Sequence, residues 1–131
     1  NGLGNAYLAL KDYQKAIAQY NKAIQIDPKY ASAYNNLGII YYECGNIDQA
    51  MQLLQKAIEI ETANNNDIKL QRESQLALAV VLYARSEQQQ AIEIAKSVLN
   101  SDKRFGDVQF LEEQLWNEKL IADTQKLLAN L

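Results

Sequence analysis

The chain has 131 residues, of which 48% are hydrophobic, enough for one packed domain rather than a disordered segment. Its formal net charge of −3 and its pI near 4.9 exclude the clustered Lys and Arg that bind a phosphate backbone, so we expect neither nucleic acid nor an anionic membrane surface as partner. Histidine is absent and Cys44 is the single cysteine, which excludes disulfides and the usual zinc sites and predicts no cofactor.

The first two predicted helices span residues 2–10 and 13–26. Apolar residues of the second helix recur at steps of one, three and four residues from Ala16 to Ile24, which is the stripe of an amphipathic helix. Pro28 follows closely and disfavours helical geometry in the residue before it. The two helices are therefore expected to form an antiparallel pair.

The next two predicted helices, near residues 31–43 and 47–61, repeat the first pair at a distance of 34 residues. The matched positions are Leu3 and Leu37, Gly4 and Gly38, Tyr7 and Tyr41, Ala16 and Ala50, Tyr20 and Leu54, and Ala23 and Ala57. Glycine inside a helix costs up to ~1 kcal/mol relative to alanine. We attribute Gly38 to a close approach of the partner helix at Ala50 and Ala57, and the same holds in the first pair. A repeat of this period is typical of a helical solenoid.

The turns inside the helix pairs differ in one residue. Gly45 stands in the second turn, where the first and third copies have Lys11 and Ser86. If the backbone there must adopt a positive φ, a residue other than glycine destabilises the turn.

The period slips in the third copy, where Leu78 corresponds to Leu37, a displacement of 41 that inserts seven residues. Seven residues are close to two helical turns. With Asn66 or Asp67 as N-cap, a long helix over residues 68–85 starts early and projects beyond its neighbours. The alternative is an Asn-rich loop followed by a helix of normal length; we favour the long helix.

The remaining sequence predicts a helix over residues 88–100 and a degenerate capping pair over 106–131. This last stretch loses the small residues of the repeats and is rich in large apolar ones: Val108, Leu111, Leu115, Trp116, Leu120, Ile121, Leu127, Leu128 and Leu131. Terminal repeats are atypical because one face meets water. We expect this apolar face either to lie over the third pair or to be covered by a second copy in a homodimer.

These residues resemble the tetratricopeptide repeat family, whose pattern is Trp, Leu-Gly, Tyr, Ala, Phe, Ala and Pro. The matching residues are Tyr34, Leu37, Gly38, Tyr41, Ala50, Leu54 and Ala57 in the second copy and Leu3, Gly4, Tyr7, Ala16, Tyr20, Ala23 and Pro28 in the first. The resemblance implies an all-α, right-handed α-solenoid of antiparallel helix pairs, with about eight helices. It also implies one domain, with repeats near 1–30, 31–64 and 72–105 and a capping pair over 106–131.

The final stretch, FLEEQLWNEKLIADTQKLL, is also similar to the C-terminal end of photosystem I assembly-type members of this family in cyanobacteria and plastids. This similarity implies assembly of a photosynthetic complex and, if the parent protein is anchored, a location at the cytosolic or stromal face of a thylakoid membrane. Otherwise we expect a cytoplasmic location. No apolar run approaches the ~18 residues of a spanning helix, so we expect no membrane insertion by this chain. Because the chain opens inside the repeat pattern and without a signal peptide, we expect a fragment of a longer protein.

The family resemblance implies a concave groove, lined by the first helix of each pair, that holds a peptide or a partner helix. Helical geometry selects the same face, because Leu37 and Tyr41 point to the second helix. The candidate groove residues are Asn5, Leu8, Ser32, Asn35, Asn36, Ile39, Tyr42, Glu43, Glu73, Leu76, Val80 and Tyr83. Asparagine amides can hold peptide groups, or they can be merely solvated. Tyr42 and Tyr83 are the strongest candidates, because solvation does not explain an exposed aromatic side chain.

One subgroup of the family binds C-terminal carboxylates of chaperones through Lys, Asn, Asn, Lys and Arg. The corresponding residues in this chain are Asn1, Asn5, Asn36, Glu73 and Ala77. Both asparagines match and all three cations are missing. Because Glu73 repels an acidic terminus, we expect no binding of chaperone tails.

Catalysis finds no support in the sequence. Without histidine no usual pair of nucleophile and base can be assembled, and Cys44 is expected to be a small, partly buried residue beside a turn. We therefore expect a non-enzymatic scaffold that binds an extended peptide or partner helix in the groove. The alternatives are a self-association module that uses the C-terminal helices, and an accessory domain of a longer enzyme.

Overall fold

A computed structural model describes residues 2–64 and 67–131 of the chain. This part contains eight α-helices and no strand. The helices are α1 (Gly2–Ala9), α2 (Tyr13–Ile26), α3 (Ala31–Glu43), α4 (Ile47–Asn64), α5 (Ile68–Ala84), α6 (Gln88–Ser101), α7 (Val108–Glu113) and α8 (Glu118–Leu128), with a 3₁₀ turn at Lys103–Gly106 before α7. Three helix pairs, α1–α2, α3–α4 and α5–α6, stack because α2 packs on α3 and α4 packs on α5. The predicted all-α solenoid is confirmed.

Close packing inside the first two pairs depends on a glycine. A Cβ added to Gly38 would lie 2.8 Å from Cγ of Leu54 and 3.3 Å from the carbonyl oxygen of Ala50. The expected approach at Ala50 is therefore present. In the first pair the nearest atoms to Gly4 belong instead to the ring of Tyr20, at 2.7 Å from the added Cβ, because this large side chain fills the place of Leu54.

The three turns inside the pairs share one backbone conformation. Lys11, Gly45 and Ser86 have φ values of 59°, 85° and 69°. Each turn ends its helix with the same two backbone hydrogen bonds, as in Gly45 N–H to Tyr42 O and Asn46 N–H to Tyr41 O. The backbone therefore does not avoid positive φ where glycine is missing.

The seven inserted residues lengthen two helices. α5 starts at Ile68 and Asp67 is its N-cap, accepting a hydrogen bond from the Leu70 amide at 2.9 Å. The long helix is thus present, although it ends at Ala84. α4 reaches Asn64, beyond the predicted end, because the longer α5 offers it a surface where Leu70 packs with Ile60. The other candidate cap, Asn66, and the groove position Asn1 lie outside the described residues.

The C-terminal helices cover the side of the solenoid that α1, α3 and α5 line, which we call the concave face. α8 packs against α5, α3 and α6. Its inward side chains Leu120 and Leu127 are fully buried in one core with Ile39 and Leu76. The apolar face of the final helix is therefore covered within the chain, and it lies over the second pair as well as the third.

Candidate partner-binding groove

The middle of the predicted groove is occupied by α8. Ile39, Tyr42, Leu76 and Val80 are all buried there, so they belong to the core. The expectation that Tyr42 is an exposed aromatic is wrong, since its exposed fraction is 1%. The physical reason is the helix lying over it.

Tyr42 is the point where α3 and α8 are joined by polar contacts. Its hydroxyl donates a hydrogen bond to Oδ2 of Asp123 at 2.7 Å. Lys119 Nζ lies 5.0 Å from the centre of the same ring and donates to the Tyr42 carbonyl oxygen at 3.3 Å. Burial, followed by the adjacent Asp123, raises the pKa of the Tyr42 phenol.

A second polar link fixes the chain between α7 and α8 to the groove floor. Oε2 of Glu73 accepts hydrogen bonds from Trp116 Nε1 at 3.0 Å and from Asn35 Nδ2 at 2.9 Å. Ser74 Oγ donates to Oδ1 of Asn35 at 2.8 Å. Burial raises the pKa of the Glu73 carboxyl, and the two hydrogen bonds that it accepts oppose this effect. Glu73 and Asn35 are therefore internal residues.

Trp116 reaches Glu73 because α7 ends in the same turn as the repeats. Leu115 has a φ of 67°, and the Trp116 amide donates to the Leu111 carbonyl oxygen at 3.2 Å. Leu111 and Trp116 are both buried in the main core, which is the apolar contact that accompanies this turn. The sharp reversal points the indole back into the groove.

One part of the groove stays open beside α1, and we call it the amide cleft. Asn36 Nδ2 donates to Oδ1 of Asn5 and to the Tyr20 hydroxyl, both at 3.1 Å. The Tyr20 hydroxyl donates to Oδ1 of Asn5 at 2.5 Å, and burial raises the pKa of Tyr20 to about 12. Ser32 also borders this cleft of about 200 Å³, with Lys69, Glu73, Glu113, Gln114 and Leu115 on its other sides. Tyr20 thus holds two amides in fixed positions on an accessible surface.

A second opening of about 300 Å³ lies between the α1–α2 turn and the start of α8, and we call it the aliphatic cleft. Leu8, Leu115, Trp116 and Ile121 supply its apolar walls. Leu115 borders both clefts, so they are neighbours.

The last two candidates, Tyr83 and Glu43, lie outside the amide cleft. Tyr83 is half-buried and borders a shallow cleft with Asp123. Glu43 is half-buried at the end of α3, and its Oε2 has no hydrogen-bond partner among the described residues. The structure therefore brings Asn5, Ser32, Asn36 and Glu73 together and places Tyr83 and Glu43 elsewhere.

Sequence reasoning missed the contributions of Trp116 and Asp123. The available signal was the single tryptophan in a terminal stretch whose apolar residues needed cover. Cys44, expected to be partly buried, is exposed, because it follows α3 in an open turn. Among the described residues no group of three or more Cys, Asp or Glu could hold a metal ion, and no helix is long and apolar enough to cross a membrane.

Three stacked helix pairs, each with a small residue at the helix crossing and the same positive-φ turn between its helices, define a helical repeat protein. A family model described as tetratricopeptide repeat matches residues 29–104, and one described as TPR repeat matches residues 4–45. The chain belongs to the tetratricopeptide repeat family.

Comparison with known proteins gives relatives of the same kind. The chain is 34% identical over 96 residues to stress-induced-phosphoprotein 1 of Caenorhabditis elegans, a match that spans 64% of this chain and 30% of that protein. It is similar to the solved N-terminal domain of stress-induced protein-1 from C. elegans, with a TM-score of 0.66, 24% identity and coverage of 96% and 89% of the two chains. It is also similar to the TPR2B domain of yeast Sti1 in a complex with pHsp70, with a TM-score of 0.65, 19% identity and coverage of 95% and 91%. These two structures support the fold, and the chain spans under a third of the curated relative.

Proposed function

We propose that this chain is a protein-interaction module that holds an extended segment of a partner protein in the amide cleft. The observation that carries this proposal is the pair Asn5 and Asn36, oriented by Tyr20 on the part of the concave face that α8 leaves open. Both N–H groups of Asn36 are donated within the protein, and its Oδ1 accepts one hydrogen bond from Asn35. The pair therefore offers a peptide group Nδ2 of Asn5 as donor and the second lone pair of Asn36 Oδ1 as acceptor, whatever side chain the peptide carries. Side chains held in place before binding lose less conformational entropy when the partner arrives.

The segment is not an acidic tail. One structural neighbour is a complex with pHsp70, but in this chain the cation positions of the chaperone-binding subgroup hold Glu73 and Ala77. Lys69 is the one cation bordering the amide cleft among the described residues, and Glu113 borders it too. A segment with a terminal carboxylate therefore gains no net attraction there.

The remaining candidate residues bind a partner only where α8 leaves them accessible. Ile39, Tyr42, Leu76 and Val80 are in contact with the chain's own helices, so a partner reaches them only if α8 is displaced. Tyr83 and Glu43 lie at the edge of this covered region.

The experiment is a pull-down from an extract of the source organism with the wild type, Asn36→Ala and Asn100→Ala. Asn100 is exposed on α6, outside both clefts, and serves as the matched control. We expect proteins that the wild type and Asn100→Ala retain and that Asn36→Ala loses, while circular dichroism shows that all three remain folded. Identical protein lists for all three would reject the amide cleft as the binding site.

The same experiment tests the finer predictions. Assembly of a photosynthetic complex at a thylakoid surface requires that the lost proteins include thylakoid components. The alternative of an accessory domain requires either that an enzyme is captured or that the same polypeptide contains an enzyme domain. Homodimer formation is tested separately by light scattering. The need of the last helix for a covering partner is smaller than expected, since Leu120 and Leu127 are buried within the chain.

A further inference from the structure

The aliphatic cleft has the size and lining of a pocket for one side chain. Its walls come from two distant parts of the chain, Leu8 of α1 on one side and Leu115, Trp116 and Ile121 on the other. Its volume of about 300 Å³ is at the lower end of the range for ligand pockets. The apolar walls favour an aliphatic group over a polar one.

A buried side-chain donor that makes no hydrogen bond of normal geometry with the described residues borders this pocket. Asn117 is 7% exposed, and its Oδ1 caps α8 by accepting a hydrogen bond from the Leu120 amide at 3.0 Å. Its Nδ2 makes no hydrogen bond of normal geometry among the described residues. The Asn117 side chain nevertheless lies close to the Tyr13 hydroxyl, which also borders the pocket, and it opposes the rise in the pKa of that phenol that burial causes. An unpaired buried donor is unfavourable, so a carbonyl oxygen brought to this atom by a ligand gains a hydrogen bond that the free protein lacks.

The mouth of the aliphatic cleft carries excess negative charge. Among the described residues, two exposed carboxylates border it, Glu112 and Glu118, and one cation, Lys11, whose Nζ lies 3.3 Å from Oε1 of Glu118. A basic side chain at the mouth therefore meets two carboxylates, while an acidic one is repelled.

We propose that the aliphatic cleft is a specificity pocket for a partner segment that presents a Leu, Ile or Val next to an Arg or Lys. The aliphatic side chain fills the pocket, a peptide carbonyl oxygen accepts from Asn117 Nδ2, and the basic side chain pairs with Glu112 or Glu118. This inference rests on the proposed function, because the two clefts meet at Leu115 and one extended segment can occupy both.

The pocket contains its own spectroscopic probe, since Trp116 is the chain's single tryptophan. The isotopically labelled 131-residue chain is titrated with acetylated and amidated octapeptides that carry Leu-Arg, Leu-Glu or Ser-Arg in the middle of a glycine sequence. We expect the Leu-Arg peptide to shift the Trp116 indole and Asn117 side-chain signals and to bind about fivefold more tightly than the Leu-Glu peptide. Equal affinities of the Leu-Arg and Leu-Glu peptides, or no shift of the Trp116 signal with any peptide, would overturn the proposal.

Two variants test the charge and the donor separately. Glu118→Lys should abolish the preference for Leu-Arg over Leu-Glu, whereas Glu59→Lys, the same charge change at an exposed site on α4, should leave it intact. Asn117→Gly removes the side-chain donor at a position where an N-cap tolerates glycine, so it should weaken binding of both Leu peptides equally. An unchanged preference in Glu118→Lys contradicts the proposal.

The same spectra separate the two proposals. Shifts at the Asn36 side chain without shifts at Trp116 leave the amide cleft standing and overturn the pocket. Shifts at Trp116 with no response at Asn36 support the pocket and reject the amide cleft.

Discussion

The indole N–H of Trp116 donates to the buried carboxylate of Glu73, with Nε1 and Oε2 3.0 Å apart. Glu73 stands where the chaperone-binding subgroup of the family has a cation. In this chain the carboxylate at that position binds the C-terminal segment through Trp116. The link holds the turn between α7 and α8 on the concave face and so divides the open surface into the amide and aliphatic clefts. Packing of the C-terminal segment therefore decides which part of the groove a partner can reach.

Trp116→Phe should lower the free energy of unfolding by about 1–3 kcal/mol beyond the loss of ring area, because Glu73 keeps one hydrogen bond instead of two. Urea unfolding of the wild type and the variant measures this. As a control, Trp116→Phe in a Glu73→Leu background should cost clearly less, since no carboxylate is left unpaired. Equal losses in both backgrounds would show that the hydrogen bond contributes nothing.

The raised pKa of Glu73 predicts a pH-dependent stability. In the unfolded chain this carboxyl titrates near the ordinary value of 4.5, and in the folded chain it titrates higher because it is buried. Between these two values the folded state binds more protons, so the free energy of unfolding falls as pH rises through that window. We expect the wild type, measured relative to Glu73→Gln, to gain stability as pH falls towards 4.5. Urea titrations at several pH values measure this difference, and two parallel stability curves would contradict it.

The helices of the repeats could be predicted from sequence because their signals are local. The apolar stripe of α2, the Asp67 cap of α5 and the small residues facing Gly38 each act within a few residues or across one helix crossing. The occupied groove could not be predicted in this way. Its links, Trp116 to Glu73 and Tyr42 to Asp123, join residues far apart in sequence and leave no periodic pattern. Helical geometry indicates which side chains lie on the concave face. It does not indicate that α8 covers them, so this surface was expected to be open.

Tyr42→Phe should loosen the attachment of α8. The change removes the hydroxyl that donates to Asp123 at 2.7 Å and leaves the ring in place. A hydrogen bond to a charged group contributes about 1.5–3 kcal/mol, so we expect a loss of this size and faster amide exchange in α8. Tyr83→Phe is the control, because Tyr83 is half-buried on the same face, and it should change stability by under about 0.5 kcal/mol. Hydrogen exchange that is unchanged in α8 would contradict the prediction.

Ser86→Gly should stabilise the chain. Ser86 is exposed and has a φ of 69°, a conformation that costs a residue with a Cβ roughly 1–2 kcal/mol and that glycine adopts freely. The gain is reduced by the greater entropy of glycine in the unfolded chain, so we expect about 0.5–1 kcal/mol. Gly45→Ser reverses the exchange in the second pair and should lose a similar amount, since nothing lies within 4 Å of the Cβ it adds. Thermal and urea unfolding of both variants give the comparison. A loss of stability in Ser86→Gly would show that the positive φ of the turn does not determine the effect of the substitution.

Gly38→Ala should destabilise the second helix pair even though alanine is the better helix former. The added Cβ lies 2.8 Å from Cγ of Leu54 and 3.3 Å from the backbone oxygen of Ala50, so α3 and α4 must move apart. Overpacking of this kind costs about 1–3 kcal/mol, more than the ~1 kcal/mol that alanine gains in helix propensity. Gly2→Ala is the matched control, because nothing lies within 4 Å of its added Cβ, and it should leave stability unchanged or slightly raised. Urea unfolding measures both. A Gly38→Ala variant as stable as Gly2→Ala would mean that the helix pair relaxes without loss and that the glycine is not required for close packing.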